Sequence, residues 1–180
     1  QPTLTQSSFF DDDDISVLFI RCDFSDFPGA AVTEVDLQND LAAVSAHLNE
    51  MSYGVASLTA TVTSTVYRAP DTGTSYAHAG DNDRLYEDVL GVYDAAPEAL
   101  ASGSYDVVAI SFPDLDSVSS SQITYGGLAS VGGSRMWLNG VSSSSARISV
   151  ITHEFGHNYG LYHSNYWHPE QVLGGSYYGS

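Results

Sequence analysis

One cysteine, two methionines and five basic residues in 180 positions set the first limits on this chain. A single cysteine excludes an internal disulfide framework, so the fold must rest on its core. The length and a hydrophobic content of 43% suffice for that without staples. Cys22 ends the apolar run Ile15–Cys22 and is expected buried in a strand. The five basic residues face 22 acidic ones, for a net charge of -17. That imbalance excludes nucleic acid and anionic membrane as partners and reads as a solvated coat. No apolar segment reaches the roughly 18 residues that span a bilayer, so membrane insertion is not expected. No basic-then-apolar leader opens the chain, which starts at Gln1 without a methionine, and a processed or excised domain is expected.

What the chain does contain is a succession of strand and helix patterns. Ile15 to Ile20 is a continuous apolar run, as in a parallel strand covered on both faces. Leu37, Leu41, Val44, Leu48 and Met51 recur by four and three, predicting an amphipathic helix that Gly54 ends. Residues 58–67 alternate as a second strand, and residues 69–80 read as loop, with His78 facing solvent. Leu85, Val89 and Val92 mark a helix ending by Pro97, and residues 107–112 a buried strand. Residues 117–121 are a serine-rich surface loop, 123–131 a glycine-containing edge strand or a hairpin around Gly132 and Gly133, and Met136 to Leu138 a further strand. No repeat appears. The expected fold is one α/β domain in three layers, with a twisted, mostly parallel sheet, an antiparallel edge strand and backing helices. The run Asp11–Asp14 reads as solvated, and calcium there lacks support because spaced ligands and a loop glycine are missing.

The chemistry is concentrated in residues 153–163, HEFGHNYGLYH. Residues four apart on a helix share a face, about 5–6 Å between Cβ atoms, so His153 and His157 can converge on one ion. Gly160 can take the positive φ that ends a helix and returns the chain, which brings His163 in as third ligand. Three protein ligands leave a zinc position open. Glu154 follows the first ligand directly and is the general-base candidate, placed to hold and deprotonate a metal-bound water. Ile148, Ile151, Phe155 and Tyr159 give the same helix an apolar stripe, and Ser142 to Ser145 offer N-caps.

The pattern H-E-x-x-H-x-x-G-x-x-H resembles the metzincin zinc proteases. More narrowly, Tyr125-Gly126-Gly127-Leu128-Ala129, Gly132-Gly133, Trp137-Leu138-Asn139-Gly140 and Asn49-Glu50-Met51-Ser52-Tyr53-Gly54 are similar to the gametolysin-like branch. The resemblance implies a zincin-like fold, one catalytic zinc ion, and a zinc metalloendopeptidase acting on polypeptides. It also implies that Gly127, Leu128 and Ala129 bind substrate backbone on the edge strand. Relatives of this kind suggest secretion and extracellular or cell-wall glycoprotein substrates. Metzincins carry a methionine turn after the third histidine, and Met51 and Met136 both precede it. A catalytic domain over residues 1–180, cut short before that turn, is therefore expected, and Cys22 lacks the loop context of a zinc-capping propeptide cysteine. Tyr177 or Tyr178 is where a metal-approaching tyrosine would fall. The alternative is an inactive metzincin-like binding module that keeps the fold. Oligomeric state is not indicated.

Overall fold

Strand β1, Asp14–Asp23, is buried along nearly its whole length because helices cover the sheet on both sides. The computed structural model describes residues 14–97 and 99–163, with backbone pairing alone at 167–168 and 178–179. Parallel neighbours flank β1: β2 (Ser57–Val62) on one side and β4 (Val107–Phe112) on the other, with the short β3 (Tyr67–Arg68) pairing at Cys22 and Asp23. Strand β5 (Gly127–Ala129) runs antiparallel to β6 (Arg135–Asn139), which lies parallel on β4. The order is β2-β1-β4-β6-β5, so the glycine-bearing strand closes one edge of the sheet. It is both an edge strand and one arm of a hairpin that turns through Gly132, at φ 64°.

The helices are α1 (Glu34–Met51), α2 (Gly73–Ala79), α3 (Asn82–Asp94) and α4 (Ser144–Asn158). Alternation along β1 sends Val17 and Phe19 into one core with Leu37, Leu41, Ile151 and Phe155, and Leu18 and Ile20 into another with Tyr76, Leu85 and Val89. Helices α1 and α4 thus cover one face of the sheet, and α2 and α3 the other. Cys22 is fully buried, and burial pushes its thiol far above the usual range, so it behaves as a small core residue. Among the described residues no helix is long and apolar enough to cross a membrane.

Several expectations give way to tertiary structure. Residues 69–80 are not all loop, because α2 forms there between an N-cap at Thr72 and a left-handed stop at Gly80. Its burial of Tyr76 and Ala77 stabilises seven residues too short for a periodic signal. The second strand stops at Val62. Beyond it, Arg21 is buried with no carboxylate partner among the described residues, and its guanidinium donates to the carbonyls of Thr63, Ser64 and Val32. That demand turns the chain at Thr63 before β3 begins. Met51 is 61% exposed and lies outside the α1 stripe, while Tyr86 and Tyr93 join Leu85 and Val89 in the core of α3 and leave Val92 half-buried. Residues 11–13 and Tyr177, the side chain of Tyr178, and that of His168, expected from its place before Pro169 to face solvent, lie outside the described residues.

Helix α4 is anchored at both ends. Near its start Arg147 donates from Nε to Asp40 Oδ2 of α1 at 2.6 Å, and from Nη1 to the carbonyls of Ser142 (2.7 Å) and Val141 (3.3 Å). Ser144 hydrogen-bonds the other Asp40 oxygen. Asp40 and Arg147 are 2% and 5% exposed, so neither charge can fall back on water. At the far end Asn158 donates from Nδ2 to the carbonyls of Gly133 (2.7 Å), Arg135 (3.1 Å) and Ser130 (3.3 Å), while Gly132 N–H donates to His157 O at 2.8 Å. These bonds tie the end of α4 to the hairpin that carries β5. The other arginines pair near the surface, Arg68 with Asp23, Arg84 with Asp71 and Asp88, and Arg135 with Asp83 and Glu87.

Arg147→Ala should cost about 3–5 kcal/mol in denaturant unfolding, because it strands the Asp40 charge. Arg135→Ala, at an exposed pair, should cost about 1 kcal/mol or less. Asn158→Asp keeps the shape but sets a carboxylate against three carbonyls, and a loss of about 1–3 kcal/mol is expected in the same measurement.

Candidate metal centre

Helix α4 starts at Ser143, whose hydroxyl accepts from Ala146 N–H at 3.3 Å, and buries Ile151 and Phe155 against the sheet. With that face fixed, His153 and His157 point the other way. The helix closes with Tyr159 as C-cap, and Gly160 adopts φ 89°. In that left-handed conformation Gly160 N–H reaches His157 O (2.8 Å) and Leu161 N–H reaches Gly156 O (2.9 Å), which reverses the chain. His163 follows on the returning segment.

The three Nε2 atoms form an equilateral triangle with every edge 3.1 Å. Zinc holds imidazole nitrogens at about 2.0–2.1 Å, which places tetrahedral ligand nitrogens roughly 3.4 Å apart, so the spacing fits three donors of one ion. The donor chemistry agrees. The Nδ1 of His157 lies 2.7 Å from the carbonyl oxygen of Leu161, a contact in which the ring nitrogen must donate its hydrogen. In the neutral ring this tautomer leaves Nε2, the nitrogen that meets the other two rings, as the one with a lone pair. Burial, and then the neighbouring rings of His157 and His163, hold the His153 pKa below its ordinary value, favouring the neutral, ligating form. Among the described residues this is the group of three whose ligand atoms converge as a metal site requires. His78 stands apart on α2, exposed, with Nε2 3.0 Å from Ser119 O.

Glu154 leaves α4 on the side facing β5 and is 5% exposed. Burial pushes its pKa up, with His157 opposing the shift. A carboxylate so placed is a stronger base than one in water. Strand β5 passes beside it with Gly127 and Leu128 half-buried and Ala129 buried, and its outer edge is unpaired among the described residues. Next to the histidines a cavity of about 1080 Å³ opens between the ends of α1 and α4, lined by Leu48, Met51, Leu161 and Tyr162. Asn158 belongs to the site's frame although the spacing of the motif does not single it out. Its signal was a polar residue three positions after Phe155 on the core-facing side of the helix, where an amide needs partners.

Among curated proteins no match is found. Residues 117–172, which contain β5, β6, all of α4 and the three histidines, match the model of the gametolysin peptidase M11 family. The match supports a peptidase, and its family implies a metal, in keeping with the imidazole triangle. This segment, about a third of the chain, supports a gametolysin-like metalloprotease family assignment.

Proposed function

We propose that the chain carries the site of a zinc-dependent endopeptidase, with His153, His157 and His163 as metal ligands and Glu154 as general base. The observation that carries this reading is the convergence of three Nε2 atoms at 3.1 Å beside a buried carboxylate. When bound, zinc supplies Lewis acidity that polarises a carbonyl and makes water nucleophilic near neutral pH. Glu154 accepts the proton of the attacking water and returns it to the leaving amine nitrogen. On the open edge Gly127 and Ala129 offer backbone N–H and C=O groups to an extended peptide that adds as a further strand, while Leu128 between them, whose own groups face β6, lies within the strand that the peptide would pair with. Such pairing reads main chain and so suits polypeptides of varied sequence. The reading extends to a secreted enzyme acting on extracellular or cell-wall glycoproteins, by analogy with the gametolysin family.

Purified protein should hold about one zinc per chain by elemental analysis, and His157→Ala should lose it. Glu154→Gln should keep the metal yet lose at least about 100-fold in chelator-sensitive cleavage of casein. Metal retention with no cleavage by the wild type would favour a binding module instead. In metal-free protein, carboxyl NMR should find Glu154 titrating above the ordinary glutamate value of about 4.3. The sign follows: the folded state holds this proton more tightly than the unfolded chain. The contribution to stability is therefore full below that ordinary value and is lost as pH rises through the folded-state pKa, and Glu154→Gln abolishes this pH dependence.

A further inference from the structure

Two adjacent glycines, Gly126 and Gly127, precede Leu128, and their surroundings differ sharply. A Cβ on Gly126 would meet Val141 Cγ2 at 3.4 Å and Val150 Cγ2 at 3.8 Å, which are ordinary contacts. A Cβ on Gly127 would lie 2.4 Å from Val150 Cγ1, 2.7 Å from Glu154 Oε1 and 2.8 Å from Glu154 Cγ. Neither glycine is among those with positive φ, so at both positions backbone conformation admits alanine and only space decides.

The strand cannot retreat to make room. Gly127 pairs with Leu138 of β6, Asn139 N–H donates to Gly126 O at 2.9 Å, and Asn158 holds the far end of the hairpin to α4. Helix α4 cannot retreat either, since Ile151 and Phe155 are fully buried on the sheet and Arg147 fixes its start. Val150 and Glu154 stand one turn apart on the helix and together face Gly127. Of the two, Val150 is stiff at χ1 and Glu154 is the side chain free to rotate away.

We infer that Gly127 is a positioning residue for Glu154: the volume left by its missing side chain is the berth that holds the Glu154 carboxylate between α4 and the edge strand. The inference rests on the reading of Glu154 as the proton-accepting group. It gives Gly127 a role that its backbone hydrogen-bonding groups do not require, because any residue supplies those groups. Substrate-pairing strand and base are thereby placed by one contact.

The test separates the two walls of the berth. Val150→Ala removes the stiff neighbour, and in that background Gly127→Ala should lower kcat at least tenfold with zinc content unchanged and KM changed less than threefold. Gly126→Ala should leave kcat and KM within about twofold of wild type. Adding Glu154→Gln to Gly127→Ala/Val150→Ala should bring no loss beyond that of Glu154→Gln/Val150→Ala, since both act on one group. A second arm needs no turnover. In chelated protein, Gly127→Ala on Val150→Ala should lower the Tm by about 3 °C or more, and Glu154→Ala should remove most of that deficit. The inference is overturned if Gly127→Ala leaves both kcat and Tm unchanged in the Val150→Ala background, or if the Tm deficit persists in full without the Glu154 side chain. Absence of proteolysis in the wild type would sink the endopeptidase reading while the thermal cycle still decides the berth.

Discussion

A guanidinium withdrawn from water must find an anion or a ring of carbonyls, and the position of helix α4 follows from how Arg147 meets that requirement. It takes one Asp40 oxygen and two carbonyls from the segment leading into its own helix, while Ser144 holds the other Asp40 oxygen. The pair locks α4 to α1 in rotation and in register. Rotation matters because the helix carries two incompatible faces. Ile151 and Phe155 must enter the core in the setting that turns His153 and His157 outward and Glu154 toward β5. The buried ion pair at one end and the Asn158 amide at the other remove neighbouring settings, each of which would bury an unpaired group.

The imidazole triangle is assembled from parts of unequal rigidity. His153 and His157 inherit their separation from the helix repeat, whereas His163 arrives through a chain reversal that depends on one glycine in the left-handed region. The contact of His157 Nδ1 with Leu161 O spans the two parts, and it sets a ring tautomer while holding the returning chain close. One short stretch of sequence thus contains the three imidazoles, the reversal and the tautomer control. That explains why the clustering of the three histidines was legible before any tertiary information. Spacing along the chain is spacing in space wherever a helix and a tight turn are all that intervene.

Other features were legible in proportion to how local their causes are. Strand β4 falls on its predicted residues and β1 extends a few beyond, because burial on both faces writes a continuous apolar run. Helix α2 has little sequence signature because its seven residues span only about two turns, too few for a repeating apolar stripe, and its stability comes from Tyr76 and Ala77 in the core. The break after Val62 depends on Arg21, forty-odd residues earlier, seeking the carbonyls of Thr63 and Ser64. Asn158 was visible only as a polar residue on an apolar face. The closeness of Gly127 to Glu154 has no sequence signature of its own, since it is a contact between an edge strand and a helix that the hairpin and the core jointly impose.

The chain has no lysine, and each of its five arginines is already engaged, Arg21 by carbonyls and the other four by carboxylates. Among the described residues every arginine thus lies against an acceptor, and carboxylates outnumber these cations several-fold over the chain, so the field around the fold is dominated by unneutralised carboxylates. Mobile counter-ions must do the work that lysines do elsewhere. The Debye length is about 10 Å at 0.1 M salt and about 30 Å at 0.01 M, so dilution couples charges on opposite flanks of the domain. Ionic strength then becomes a hidden variable of this molecule, acting as a diffuse cationic partner that the fold recruits from its medium.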